Sequence, residues 1–210
     1  MGEYYDWVNI DKKEYISPYD FDYGSKYRET LHKDSIPTHA LYTLLDNEWR
    51  NSRILWLGDE CYIPDDSGIS VLRDLFDQTV KYGCPGDALE LYTDTYRNVS
   101  CYFKEAEKVI REEINTYGID FSEPYKGLFT KKSRTFRYTV NHTKRLCYSL
   151  GETRVFYSNQ VEADFADPLP ILMGYGRVAE PGKWIGDIIG VSDSIPDGYT
   201  LLDKIIMDID

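Results

Sequence analysis

The sequence is poor in the residues that most often carry catalytic or redox chemistry. Its 210 residues include three histidines and four cysteines, with no H-x-x-x-H pair and no C-x-x-C pair. This scarcity disfavours a zinc site and a redox-active dithiol. We therefore expect no metal, no cofactor and no enzymatic activity.

The chain also lacks long apolar segments. No run approaches the roughly 18 residues of a transmembrane helix, and the N-terminal sequence MGEYYDWVNID is too acidic and aromatic for a secretory signal peptide. These features predict a cytoplasmic protein without membrane association. In a reducing compartment, the four cysteines are expected to be buried thiols rather than disulfides.

Positive charge is scarce over most of the chain. The net charge is −12, and residues 1–66 carry fourteen acidic against seven basic side chains. The sign reverses between residues 126 and 154, where eight bases accompany one acid. Because affinity for phosphate scales with the number of cationic contacts, direct binding to nucleic acid is disfavoured for the chain as a whole.

Two nine-residue stretches have the pattern of β-hairpins. Residues 8–16 read VNIDKKEYI and residues 140–148 read VNHTKRLCY, each with a polar turn beginning at Asn, a residue that tolerates positive φ. Hydrophobic periodicity predicts further elements between and after them. These are a helix with Ala40, Leu41, Leu44 and Leu45 on one face, a buried strand in RILWLGDE (53–60), a strand beside the second hairpin in TRVFYSN (153–159), and another strand within 182–202.

The middle of the chain has the periodicity of helices. A first helix is expected from a cap at Asp66 or Ser67 to Tyr82, and a second over 87–117. The apolar face of the first helix consists of Val71, Leu72, Leu75, Phe76 and Val80. The pattern predicts a helical hairpin over 67–118, and the helix 87–117 is a candidate homodimer contact.

Four short motifs occur twice in the same order, with a nearly constant offset between the two copies. They are Val8-Asn9 and Val140-Asn141 with two cations after each, the segments led by Pro37 and Pro170, the strands 53–59 and 188–193 that follow Trp49 and Trp184, and the Ile-Pro-Asp triplets 63–65 and 195–197. The alternative to duplication is that unrelated hairpins and strands use the same residue types. A unit of this size is too small to bury its own apolar face well, and it would bury more apolar surface by packing against its copy. The repeated motifs predict an α+β fold in which two β-rich pseudo-repeats, 1–66 and 119–210, flank the inserted helical hairpin 67–118 and pack together as one globule.

The same motifs carry a family resemblance. The chain resembles uncharacterised bacterial proteins with VNHTKK hairpins followed by a W-x-G-D-x-I-x-x-x-G-D strand. The second half keeps the start of that strand as Trp184-Ile185-Gly186-Asp187, whereas the first half has Arg50-Asn51-Ser52 after Trp49. The resemblance covers both ends of the chain and leaves the middle helices out. It supports the fold and implies no activity.

Few side chains are candidates for chemistry. His39 is expected in the core or at a helix cap and His142 in a solvated turn, while His32 has no partner at metal-ligand spacing. The acids next to Cys61 would raise its thiol pKa and disfavour a reactive thiolate. A metal-dependent enzyme remains an alternative if acids of the two repeats converge. Those acids are Asp59, Glu60, Asp187 and Asp193.

Tyrosine is abundant, with 19 residues in the chain. Tyrosine gives large contact area at low entropic cost and is enriched in interfaces. An acidic, tyrosine-rich surface predicts a non-enzymatic binding protein for a basic partner, such as an immunity protein or a phage-type anti-defence inhibitor of a nucleic-acid-handling enzyme. The candidate contact residues are Tyr4, Tyr5, Trp7, Asp20, Asp22, Tyr23, Asp59 and Glu60.

The basic hairpin offers the alternative of a small nucleic-acid-binding protein. Aromatic residues among its cations are available for stacking on bases. The candidate contacts within 126–154 are Lys131, Lys132, Arg134, Phe136, Arg137, Tyr138, Lys144 and Arg145.

Overall fold

A computed structural model describes most of the chain. The described residues are 3–21, 25–27, 29, 31, 36–60, 69–79, 92–103, 108, 137–177 and 180–209.

Helices are few and short in this part of the chain. The α-helices are α1 (Ile36–Asp46), α2 (Ser70–Thr79), α3 (Tyr92–Thr95) and α4 (Leu169–Met173), and 3₁₀ helices lie at Pro18–Phe21 and Ser100–Phe103. None of the described helices has the length and apolar character needed to cross a bilayer.

Most of the described strands belong to one sheet. The strands are β1 (Tyr5–Asn9), β2 (Glu14–Ile16), β3 (Ser52–Gly58), β4 (Arg97–Asn98), β5 (Tyr138–Asn141), β6 (Leu146–Tyr148), β7 (Arg154–Tyr157), β8 (Gly174–Tyr175), β9 (Ile188–Ser192), β10 (Thr200–Leu201) and β11 (Lys204–Met207). Nine of these described strands form a mixed sheet of order β10-β6-β5-β9-β3-β1-β2-β4, with β8 also paired to β3. One large sheet with few helices is compatible with the α+β class.

The two hairpin turns have the same geometry. Asn9 Oδ1 accepts a hydrogen bond from the Lys12 N–H, and Asn141 Oδ1 accepts one from the Lys144 N–H, both at 2.9 Å. Positive φ, which Asn tolerates, is found in these turns not at the asparagines but at Lys13 and Arg145, each at 54°. The asparagine side chains bond the turn backbone, an Asx-type role that needs no left-handed conformation at Asn.

The strand order of the large sheet is symmetric about the central pair β9 and β3. β1 lies between its hairpin partner β2 and β3, and β5 lies between its partner β6 and β9. The outer strands β4 and β10 run parallel to β2 and β6. The Arg97 N–H donates to Lys13 O at 2.9 Å, and the Thr200 N–H donates to Arg145 O at 3.0 Å. Each hairpin is therefore extended in the same way.

The two three-strand groups meet where β3 pairs antiparallel with β9, and Arg53 lies opposite Ile188. Each of these residues also accepts a bond from the adjacent hairpin turn. The Ile10 N–H donates to Arg53 O at 3.1 Å, and the His142 N–H donates to Ile188 O at 2.9 Å. One sheet thus contains strands from both ends of the chain.

The sheet buries side chains on both faces. Trp7 and Trp56 pack on one face with Leu41 of α1. Val8, the next residue along β1, packs on the opposite face with Leu72 of α2, as strand alternation requires. The large sheet is therefore covered on both sides around β1 and β3.

The middle of the chain differs from the predicted helical hairpin. In the first helix, Val71, Leu72 and Leu75 of α2 are buried as predicted. A continuous helix over 87–117 is wrong for its described part, because α3 ends at Thr95 and Arg97–Asn98 forms β4. Backbone pairing of β4 with β2 replaces helical bonds that the local periodicity favours. Apart from residue 108, the remainder of the predicted helix lies outside the described residues. The homodimer contact predicted for this helix stays a prediction.

The strand predicted in TRVFYSN forms, but not beside the second hairpin. This strand, β7, pairs parallel with β11 in a separate two-stranded sheet. The place beside β6 is taken by β10. Val155 and Met207 bury their side chains in a small cluster with Ala163, which stabilises the β7–β11 pair. Among the cysteines, Cys147 is buried as expected, whereas Cys101 is exposed.

Candidate functional site

The candidate contact residues of β1 divide between surface and core. Tyr4 is 52% exposed, while Tyr5 and Trp7 are each 1% exposed. The Tyr5 ring stacks on Trp56 with centroids 5.6 Å apart, and the Trp7 ring lies 4.8 Å from the same indole. Tyr5 and Trp7 therefore belong to the core and are removed from the predicted contact surface.

The described acids of the predicted surface each have a polar partner, and one of them contacts Tyr4. The Tyr4 N–H donates to Asp59 Oδ1 at 2.9 Å, and the next residue, Glu60, forms a 3.0 Å ion pair with Arg177. Asp20 lies in the first 3₁₀ helix and accepts a bond from Asn98 at 2.8 Å. Asp22 and Tyr23 lie outside the described residues.

Asp6 joins these residues on the same face of the sheet. Alternation places Tyr4, Asp6, Val8 and Ile10 in one row, which passes from exposed to fully buried. Asp6 lies opposite Leu57, and its Oδ2 accepts a 2.5 Å hydrogen bond from the Tyr92 hydroxyl of α3. We define the acidic patch as Asp6, Asp20, Asp59 and Glu60 with the exposed rings of Tyr4 and Tyr19.

The environment of Asp6 makes its ionisation unfavourable. Burial raises the pKa of Asp6 from 3.8 to about 6, and repulsion from Asp20 and Asp59 adds to this increase. Hydrogen bonds from Tyr92 and Ser17 act in the opposite direction. Asp6 is not among the contact residues predicted from the sequence, because composition does not show which alternate positions of the run Tyr4-Tyr5-Asp6-Trp7 face the core.

The Asp6→Asn substitution is expected to raise the free energy of unfolding near pH 7.5 by about 1–2 kcal/mol, because about 1.4 kcal/mol accompanies each unit of pKa shift and the amide does not reproduce every bond. The raised folded-state pKa means that wild-type stability falls as pH rises from about 4 to about 6. Urea unfolding of both proteins at pH 7.5 and pH 4 measures the effect. A stability difference that does not shrink toward pH 4 would contradict this assignment.

The alternative nucleic-acid surface is only partly described. Arg137 forms an ion pair with Glu152, and Lys144 forms one with Asp187. Tyr138 is 6% exposed, so its ring is not available for stacking on a base. Arg145 is exposed in the turn. Lys131, Lys132, Arg134 and Phe136 lie outside the described residues.

The acids considered for a metal site do not converge. Asp187 Oδ2 accepts bonds from Asn141 Nδ2 at 2.7 Å and from Lys144 Nζ at 2.5 Å, while Asp59 contacts Tyr4 in the other half. In the described part of the chain, no three His, Cys, Asp or Glu side chains are grouped to hold a metal ion. His142 is partly buried, which lowers its pKa, and its Nδ1 lies 3.0 Å from the Tyr199 hydroxyl.

A second polar group lies deep in the core. Asp167 is fully buried and accepts bonds from the hydroxyls of Tyr42 at 2.6 Å and Tyr148 at 2.7 Å. Its Oδ1 also accepts the Leu169 N–H at 3.0 Å at the start of α4. Burial raises the pKa of the Tyr148 phenol, which therefore remains a donor. With no exposure to solvent, this network is structural and offers no access to a substrate.

No protein-family model, curated protein or solved structure matches the chain. The acidic patch is the surface on which a functional proposal rests.

Proposed function

We propose that the protein is a non-enzymatic binding protein whose acidic patch holds a basic protein partner. The observation that carries the proposal is that the charges of Asp20 and Asp59 both act on Asp6, while Asp59 also bonds the backbone of the exposed Tyr4. Glu60 and Tyr19 adjoin Asp59 and Asp20 in the chain. Tyr4 and Tyr19 are 52% and 77% exposed, although both have rings that gain from burial. Exposed aromatic rings among acids favour a contact surface over a solvated face.

Charge supports the same partner class. The chain carries a net charge of −12, so its field attracts a basic protein at long range and repels nucleic acid. Complementary charge mainly increases the association rate and the specificity, while buried aromatic anchors slow dissociation. A toxin bound by an immunity protein and a nucleic-acid-handling enzyme bound by a phage-type inhibitor are partners with this chemistry. A cytoplasmic location is part of the same proposal.

We further infer that the sheet arose by internal duplication. The palindromic strand order supports this inference, as do the matched turns at Asn9 and Asn141. Asn51 and Gly186 both have positive φ, and each lies two positions before a member of the pair Arg53 and Ile188 that joins the two halves. Duplication accounts for the architecture and leaves the acidic patch specific to the first half.

Neutralising the patch is expected to weaken capture of a basic partner by about 10–100-fold, since each close interfacial charge contributes roughly 0.5–1 kcal/mol. The test compares immobilised wild-type protein with the variant D20N/D59N/E60Q in host lysate at low and high salt. The matched control is D193N/D197N/D203N, which removes the same charge from exposed sites around β9 and β10.

The two variants separate a specific patch from general acidity. Equal loss of capture in both variants would attribute binding to net charge and overturn the patch. Copurification of RNA or DNA that both variants retain would instead favour the basic-hairpin alternative. A salt-sensitive basic protein held by the wild type and by the control variant, and lost from the patch variant, is the expected result.

A further inference from the structure

Asp6 occupies a position where the equivalent strand of the other half has an aromatic ring. Aligning the two hairpins on Val8-Asn9 and Val140-Asn141 places Tyr138 of β5 at the position of Asp6. Tyr138 is 6% exposed and packs in an apolar cluster with Val140. The β5 position thus holds a buried ring, and the carboxylate at the equivalent position of β1 departs from this pattern. Positions that break such a rule without structural need are often functional.

Within the described ranges, the groups that face Asp6 are acids and hydroxyls. Tyr92 comes from α3, Ser17 follows β2, Asp20 lies in the first 3₁₀ helix and Asp59 follows β3. The Tyr15 phenol of β2 is also close enough for the charge of Asp6 to act on its pKa. Among the described residues, no Lys or Arg contacts Asp6.

We propose that Asp6 receives a lysine or arginine side chain of the basic partner and that binding is thereby coupled to the loss of a proton from Asp6. This inference rests on the proposed function and adds the regulation of the same site. The neutral carboxyl releases its proton to solvent, and the resulting carboxylate pairs with the incoming cation. Tyr4 stands beside Asp6 at the exposed end of the row, where its ring can cover the aliphatic stem of that cation.

The direction of the pH effect follows from the sign of this coupling. A cation at Asp6 stabilises the carboxylate, so the complex binds fewer protons than the free protein and affinity rises with pH. With a free-state pKa of about 6, roughly a tenth of Asp6 is ionised near pH 5 and nearly all near pH 7.5. Affinity for a basic ligand is therefore expected to be about tenfold lower near pH 5.

The experiment uses an octalysine peptide as the probe and the full chain as the receptor. Calorimetric titration near pH 5 and pH 7.5, at low ionic strength, gives the ratio of the two affinities for wild type, D6N and the control D197N. Ordinary surface carboxylates remain mostly ionised at both pH values and contribute little to the ratio. Wild type and D197N are expected to show the tenfold ratio, and D6N a ratio below about twofold.

The outcomes distinguish this inference from the function on which it rests. Equal wild-type affinity at the two pH values, or a D6N variant that keeps the tenfold ratio, overturns the role of Asp6 and leaves the acidic patch standing. No octalysine binding by the wild type at either pH overturns both. Proton release that is measured in buffers of different ionisation enthalpy, and that is absent in D6N, supports the inference directly.

Discussion

Replacing Asp167 with alanine is expected to lower the free energy of unfolding by about 3–5 kcal/mol, because the change leaves two buried tyrosine hydroxyls without their acceptor and opens a small cavity. Tyr42 and Tyr148 both donate to this carboxylate, and their own oxygens lie 3.0 Å apart. Both hydroxyls are buried, and at most one of them can donate to the other across this gap, so at least one loses its acceptor away from water. Urea denaturation of the variant against wild type measures the loss.

Matched variants isolate the hydrogen bonds from the cavity. Tyr148→Phe removes one donor and keeps the carboxylate, and is expected to cost about 1–2 kcal/mol. Asp164→Ala, three residues earlier and exposed, is the control and should remain within about 0.5 kcal/mol of wild type. An Asp167→Ala variant as stable as this control would show that the network contributes nothing to the folded state.

The second large effect is expected at Asp187, where substitution by alanine should cost about 2–3 kcal/mol. The change deprives the buried Asn141 Nδ2 of its acceptor and removes the partner of Lys144. Because Lys144 is 43% exposed, solvent screens its charge, and most of the loss comes from the amide. Chemical denaturation at low and high salt separates the two contributions, since the charge contribution is the one that salt weakens.

The other half of the sheet supplies the comparison for Asp187. Ser52 is the residue equivalent to Asp187, because each lies one position before a member of the facing pair Arg53 and Ile188. The buried Asn9 Nδ2, which is equivalent to Asn141 Nδ2, has no hydrogen-bond partner within the described part of the chain. Asn141→Ala is therefore expected to cost at least about 1 kcal/mol more than Asn9→Ala, although both asparagines bond the turn backbone alike. Equal losses of stability at the two positions would indicate that the hydrogen bond from Asn141 to Asp187 makes no net contribution to the free energy of unfolding.

Several elements were predictable because their signals are local. The turn residues after Val8 and Val140 and the apolar run in β3 predicted the two hairpins and a central strand. The row Ala40, Leu41, Leu44 and Leu45 predicted α1, whose buried face these residues form. Alternation and helical periodicity act over a few neighbouring residues, so the sequence carries them directly.

The candidate site was predictable only in part. In the run Tyr4-Tyr5-Asp6-Trp7, composition indicated a surface, but it could not say which alternate positions face the core. Pairing of β1 with β3 and the packing of α1 place Tyr5 and Trp7 inside and leave Tyr4 outside. Asp6 acquires its raised pKa from the burial around it, which outweighs the opposing hydrogen bond from Tyr92 of the distant helix α3.

The sequence by itself determined the hairpin turns, the buried strands, the acidic charge and the repeated motifs. Only the tertiary structure decided that Arg97 joins a strand rather than a helix, that β7 pairs with β11, and that Asp6 lies at the margin of the core. Such contacts join residues far apart in the chain, and their free energy comes from burial and backbone pairing. Local propensity, worth less than about 1 kcal/mol per residue, is too weak to oppose them.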